Sequence, residues 1–119
     1  MTTKSQHILL VDDEEAVVYV FSRYLERAGY RVTARHDPVE ALAASEGVDM
    51  LVTDFRMPGM TGGSLIARLR ERMPALPALI VTAYRAEIGM SAPGVPVLNK
   101  PIAPQELVDA VTRVLAARD

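Results

Sequence analysis

The sequence predicts an open α/β domain in which a parallel sheet is covered by helices on both faces. Short apolar runs alternate with amphipathic stretches along the whole chain, as strands and helices do in βαβ units. The apolar runs are continuous, which is typical of parallel strands buried on both faces. The length of 119 residues suits one domain, residues 1–119, close to the commonest domain size.

Five strands are predicted, four from apolar runs and the short second one from Val32 and Ala34, which would face inward. The last is the weakest, because Pro96 has no backbone N–H to donate and therefore favours an edge position. The predicted strands are His7–Val11, Arg31–Arg35, Met50–Asp54, Ala78–Thr82 and Val95–Asn99.

Four helices are predicted from apolar residues that recur at three- and four-residue steps. Asp37 and Pro38 form a start signal, with a capping carboxylate and proline at the first position. The predicted helices are Ala16–Ala28, Pro38–Ser45, one that opens at Thr61–Ser64, and Pro104–Ala117.

The stretch between the fourth and fifth strands is too short for a regular fourth helix between them. From Thr82 to Lys100 the chain advances 100 − 82 = 18 positions. A strand and two loops leave room for only about two helical turns, and Gly89 interrupts them. This helix is predicted to be stunted, frayed or missing.

Composition excludes several classes of function. The net charge is −2, with no long basic block, which argues against direct nucleic-acid binding. No apolar stretch is long enough to cross a bilayer. The absence of cysteine rules out disulfides and thiol chemistry, and it fits a cytoplasmic location.

Polar residues at the ends of the strands form the candidate site. Parallel strands bring their carboxyl ends to one edge of the sheet, and ligands of open α/β sheets bind there. A doubly wound sheet would place the first and third strands side by side. The residues at or just past a strand end are Asp12, Asp13, Asp54, Thr82 and Lys100.

Three carboxylates in one crevice repel one another, and Mg²⁺ is the natural remedy. We expect Asp13 and Asp54 as direct ligands and Asp12 as a ligand through water. The backbone carbonyl of Arg56 would complete the protein's share of the ligands. With no cysteine and only two histidines in the chain, a nitrogen- or sulfur-ligated metal is not expected.

The same residues suit phosphoryl transfer, which mainly requires positioning and charge neutralisation. Asp54 would be the nucleophile and phosphoacceptor, as in aspartyl-phosphate enzymes. Lys100 would bring an ammonium group to one phosphoryl oxygen, and Thr82 would donate its hydroxyl to another.

The motifs that contain these residues resemble the receiver domain of two-component response regulators. The resemblance covers almost the whole chain. It rests on Leu9–Glu14, Asp54–Gly62, Val81–Ala83 and Lys100–Pro101.

This resemblance implies a flavodoxin-like, doubly wound (βα)5 three-layer sandwich with strand order 2-1-3-4-5. It implies that a sensor histidine kinase or a histidine phosphotransfer protein donates phosphate to Asp54, and that a downstream effector protein reads the result. Such a domain is not an enzyme in the ordinary sense, since it catalyses only its own phosphorylation and dephosphorylation. We expect a monomer or weak homodimer, and a cis Lys100–Pro101 bond.

One position departs from the family pattern, and two others keep alternative roles. Receivers usually carry Phe or Tyr three positions before the lysine, and in the family this switch ring rotates inward when the threonine moves toward the phosphate. This chain has Val97 at that position, which cannot respond by such a rotation. Tyr84 would either replace that switch ring or shield the acyl phosphate as a rim residue. The Arg56 side chain would reach the phosphate or a neighbouring acid, or remain a solvated loop charge.

The sequence leaves two alternative functions to compare with a receiver. A Mg²⁺-dependent phosphohydrolase usually needs a cap that excludes water, for which 119 residues leave no room. A receiver-like interaction module that works without phosphorylation is favoured by Val97 and the short fourth segment. The intact set of acids, threonine and lysine opposes that module.

Overall fold

The fold is a five-stranded parallel sheet between two layers of helices. A computed structural model describes residues 5–117. The strand order is β2-β1-β3-β4-β5, so the predicted topology is confirmed. The strands are β1 (His7–Val11), β2 (Arg31–Arg35), β3 (Met50–Thr53), β4 (Ala78–Thr82) and β5 (Val97–Asn99).

Four α-helices occur within the described residues. They are α1 (Glu15–Arg27), α2 (Pro38–Ala43), α3 (Gly62–Arg72) and α4 (Pro104–Ala117). Side chains cap two of them as the sequence suggests. An Asp37 oxygen accepts from the Val39 amide at 2.8 Å, and the Thr61 hydroxyl accepts from the Ser64 amide at 3.1 Å. Among the described residues, no helix has the length and apolar composition needed to cross a membrane.

Residues 83–96, named here the β4–β5 segment, contain only a single 3-10 turn, Arg85–Glu87, among their described structure. Gly89 and Gly94 both have positive φ, +51° and +80°, a conformation that turns the chain and that other residues rarely adopt. The predicted loss of a regular helix at this place is therefore confirmed.

The boundary of β5 differs from the prediction. The strand begins at Val97 rather than Val95, because Pro96 cannot donate a ladder hydrogen bond. The Pro96 carbonyl still accepts from the Ile80 amide at 3.0 Å. The strand lies at the sheet edge, as Pro96 predicted.

Both faces of the sheet are buried, and successive residues of a strand serve opposite layers. Ile8 and Leu10 pack beneath α1 and α4, whereas Leu9 and Val11 pack beneath α2 and α3. All four side chains are at most 2% exposed, and each is worth roughly 1.5–3 kcal/mol of burial. These two cores hold the carboxyl ends of the strands at fixed positions.

Candidate functional site

The register of β1 against β3 brings two acids together. Val11 pairs with Thr53 at the last position of this ladder, so the residues that follow, Asp12 and Asp54, leave the sheet side by side. The Asp54 amide donates to the Val11 carbonyl at 3.0 Å. Asp12 is 3% exposed and Asp54 7% exposed, so both carboxylates are largely withdrawn from water.

Asp13 completes a cluster of three carboxylates. One oxygen from each of Asp12, Asp13 and Asp54 lies within 4.8 Å of the others, and Asp13 is the exposed member. These donors are all oxygen atoms, which is the ligand type that Mg²⁺ prefers. The residues present therefore fit a magnesium ion. The backbone carbonyl of Arg56 as a further ligand stays a prediction.

Lys100 is the counterion of this cluster. Its Nζ lies 2.8 Å from Asp12, 3.3 Å from Asp54 and 3.3 Å from Glu14. Burial by itself lowers the pKa of Lys100, but the hydrogen bond to Asp12 and the charges of Asp12 and Asp54 outweigh it, so the pKa is raised. The ammonium form is thus strongly favoured. Burial raises the pKa of Asp12, and the hydrogen bond from Lys100 opposes that change.

Thr82 lies at the end of β4 and is fully buried. Its hydroxyl accepts from the Tyr84 amide at 3.0 Å, and its carbonyl accepts from the Lys100 amide at 2.9 Å. A hydroxyl that accepts keeps its own proton, so Thr82 retains a donor, but it is not among the residues that line the cleft above the end of the sheet. The Lys100–Pro101 peptide bond is cis, as the resemblance implied.

These elements enclose a cleft of about 390 Å³ above the end of the sheet. Five of its seven lining residues are acidic or basic, so the cleft suits a small hydrated anion and a cation better than an apolar ligand. Its lining residues are Asp13, Glu14, Asp54, Arg56, Ala83, Tyr84 and Lys100.

Tyr84 and Arg56 form one wall of this cleft. The Arg56 guanidinium lies 4.1 Å from the centroid of the Tyr84 ring, and its Nε donates to Glu87 at 3.2 Å. The ring is partly exposed. Of the two roles left open for Tyr84, this conformation matches the rim residue. The Arg56 side chain is engaged with an acid, Glu87, and is not a free loop charge.

Sequence reasoning missed the residues that fix the Asp54 backbone. A Cβ atom on Gly62 would lie 2.3 Å from the Asp54 carbonyl oxygen, so only glycine fits here. The Gly62 amide donates to Phe55 at 2.7 Å, and the Thr53 hydroxyl donates to the Asp54 carbonyl at 2.8 Å. The sequence does show a glycine at the start of the third helix, which is an unusual choice for a helix. The reason for it is the contact with the Asp54 backbone, which only the tertiary structure reveals.

Comparisons with known proteins agree with this geometry. The family model described as "Response regulator receiver domain" matches residues 8–112. The chain is similar to the alkaline phosphatase synthesis transcriptional regulatory protein PhoP of Bacillus subtilis, at 33% identity over 93% of this chain and 49% of that protein. It is also similar to Protein PetR of Rhodobacter capsulatus, at 36% identity over 97% of this chain and 51% of that protein. The chain thus spans about half the length of each of these two relatives.

Solved structures give the same result. A response regulator receiver protein from Sinorhizobium medicae superposes with a TM-score of 0.84 at 29% identity, covering 99% of this chain and 100% of that one. The chemotaxis response regulator CheY4 of Vibrio cholerae superposes with a TM-score of 0.82 at 28% identity, covering 93% and 99%. The chain belongs to the receiver-domain family of two-component response regulators.

Proposed function

We propose that the chain accepts a phosphoryl group on Asp54 in a Mg²⁺-dependent reaction, from a sensor histidine kinase or a histidine phosphotransfer protein. The observation that carries this proposal is the convergence of three carboxylates within 4.8 Å, with Lys100 3.3 Å from Asp54. Receiver domains of response regulators are not classical enzymes. We propose that this one catalyses only its own phosphorylation and dephosphorylation.

In the proposed transfer, an Asp54 oxygen attacks phosphorus as the bond from phosphorus to the donor nitrogen breaks. The electron pair stays on the imidazole nitrogen, and an acyl phosphate forms on Asp54. Asp13 and Asp54 would hold Mg²⁺ directly, Asp12 through water, and Arg56 through its backbone carbonyl. Bound there, Mg²⁺ supplies neutralisation of the phosphoryl charge.

The remaining groups of this chain orient the phosphoryl oxygens. Lys100 already contacts Asp54 and keeps its ammonium form, so it stabilises the charge that develops in the transition state. The Thr82 hydroxyl would donate a hydrogen bond to a second oxygen. Ala83 lines the cleft with only a methyl group and leaves room for the transferred group.

A downstream effector protein would read the phosphorylated surface, and the chain would act in the cytoplasm as a monomer or weak homodimer. Residues 1–119 would work as one receiver unit. The match to about half of PhoP or PetR leaves the activity of a whole regulator as a proposal. Val97 and the missing helix, which favour the module that works without phosphorylation, lie outside the acid cluster, and the intact cluster with Lys100 opposes that module.

The test is mass spectrometry of the protein after treatment with acetyl phosphate and Mg²⁺. We expect one phosphoryl adduct that maps by peptide digestion to Asp54, and none when EDTA replaces Mg²⁺. Asp54→Ala should abolish the adduct, while Asp109→Asn, on the exposed face of α4, should leave it unchanged. An adduct that persists in Asp54→Ala, or no adduct on the unaltered protein, overturns the proposal.

A further inference from the structure

We infer that Arg56 transmits the phosphorylation state of Asp54 to the β4–β5 segment through its contacts with Tyr84 and Glu87. These three residues are named here the Arg56 clamp. The inference rests on the proposed phosphorylation of Asp54. It concerns how the result leaves the site, which the phosphorylation chemistry does not specify.

The Arg56 clamp joins two loops that leave neighbouring strands. Arg56 lies two positions after Asp54 and lines the same cleft. Its Nε and Nη2 atoms donate to the two carboxylate oxygens of Glu87, and its guanidinium plane covers the Tyr84 ring at 4.1 Å. The Arg56 side chain therefore connects the site to the β4–β5 segment.

The contact with Glu87 is suited to exchange. The Arg56 side chain is 57% exposed and that of Glu87 41% exposed, and exposed ion pairs contribute little net stability. A guanidinium binds phosphate oxygens with the same two-pronged geometry that it uses for a carboxylate. A phosphoryl group on Asp54 adds negative charge to the cleft and so competes with Glu87 for Arg56.

The β4–β5 segment is weakly held, so a small change in free energy can move it. No residue of the turn Arg85–Glu87 is buried, and Met90 is 85% exposed. Ile88 is the buried residue that anchors this stretch in the core beneath α2 and α3, and Ala92 and Val95 pack against the same core while only partly buried. Segments with few buried contacts open at low free-energy cost.

The departure at Val97 removes the usual alternative to such a route. A half-buried valine on β5 cannot turn a ring inward, so the aromatic response usual in the family is lost. Tyr84 keeps its ring at the cleft rim, stacked on Arg56. When the guanidinium leaves Glu87, the Tyr84 ring loses part of its packing. The turn Arg85–Glu87 then also loses its ion pair with the β3–α3 loop.

Hydrogen exchange and ¹⁵N NMR test the inference, with Mg²⁺ and trifluoroberyllate as the phosphoryl mimic. The readout is the Arg56 Nε resonance and three amides of the β4–β5 segment. These are the amides of Glu87, Ile88 and Ser91, which donate to carbonyls within that segment at 2.9–3.2 Å. We expect the mimic to shift the Arg56 resonance and to speed exchange of the three amides by up to about fivefold, the size that loss of one exposed ion pair allows.

Glu87→Gln removes the competing charge without changing the shape of the side chain. It should speed exchange of the three amides before the mimic is added, and the mimic should then change them little. Glu71→Gln, on the exposed side of α3, is the matched control and should behave like the unaltered protein.

The outcomes separate this inference from the proposed function. If the mimic shifts the Ala83 amide but neither the Arg56 resonance nor the three amides, the inference is overturned and the phosphorylation site stands. If Glu87→Gln behaves like the unaltered protein, the inference is also overturned. If acetyl phosphate leaves no adduct on Asp54 and the mimic shifts no amide, the proposed function fails first.

Discussion

At the scale of single residues, the Lys100 ammonium compensates the negative charge of the acid cluster. It contacts Asp12 and Asp54, two acids that the sheet buries, and the exposed acid Glu14. Two buried carboxylates beside each other are unfavourable unless charge or hydrogen bonds compensate them. The lysine therefore stabilises the folded state of the metal-free protein, in addition to its role in the proposed transfer.

Lys100→Met should lower the free energy of unfolding of the metal-free protein by about 1–3 kcal/mol, because Asp12 and Asp54 lose a charged hydrogen-bond donor. Urea denaturation in EDTA measures this loss. Mg²⁺ should restore part of it, since the cation replaces the missing positive charge. Arg23→Met, at an exposed position on α1, is the control. Equal stability of Lys100→Met and the unaltered protein would contradict the account.

Asp13 is the member of the acid cluster that tests the metal prediction most directly. It is exposed, so its replacement leaves the packing of the sheet intact. Asp13→Asn removes the charge of a ligand and should weaken Mg²⁺ binding by at least about tenfold. Titration calorimetry with MgCl₂ measures this, with Asp109→Asn as the reference variant. Unchanged affinity would remove Asp13 from the ligand set.

At the scale of elements, the contact between α3 and the loop after β3 positions Asp54. Gly62 begins α3 and lies directly on the backbone of Asp54. This approach lets the Gly62 amide pair with Phe55 at 2.7 Å and holds the loop closed. Helix propensity alone would favour alanine by about 1 kcal/mol, so close packing overrides local preference here.

Gly62→Ala should therefore destabilise the fold, by about 1–3 kcal/mol, and reduce phosphoryl uptake on Asp54. Its Cβ would meet a backbone oxygen at 2.3 Å, which cannot move without shifting Asp54. Gly63→Ala is the matched control, because its Cβ first meets the Ser91 side chain at 3.2 Å. Denaturation and adduct yield should rank Gly62→Ala below Gly63→Ala. The reverse order would show that the close contact does not position the acid.

At the scale of the whole molecule, we predict that metal binding and folding stability are coupled. The acid cluster exists only when β1 and β3 are paired, so the proposed Mg²⁺ ion would bind the folded state in preference to the unfolded chain. At a hundred times its dissociation constant it should raise the free energy of unfolding by about 2.7 kcal/mol.

Thermal denaturation across a Mg²⁺ series measures this coupling. The midpoint should rise with concentration in the unaltered protein and much less in Asp13→Asn. A midpoint that rises equally in both would mean that the ion acts elsewhere on the protein.

Much of the fold was predictable from the chain alone. Apolar runs predicted four of the strands, the alternation of Val32 and Ala34 with polar residues predicted β2, and local signals such as Asp37 before Pro38 predicted helix starts, because these patterns depend on near neighbours. The spacing from Thr82 to Lys100 also predicted the missing helix, since chain length limits what a segment can form. The predicted start of β5 was wrong by two residues, because Pro96 has no amide to donate and the regular pairing with β4 begins only at Val97.

By itself, the sequence determined which residue types stand at the strand ends and therefore which chemistry the site can perform. Only the tertiary structure decided how those groups meet: that Lys100 bridges Asp12 and Asp54, that Gly62 must lack a side chain, and that Arg56 turns to Glu87. The physical reason is range. Strand and helix formation depend on residues a few positions apart, whereas these contacts join residues that only the completed sheet brings together.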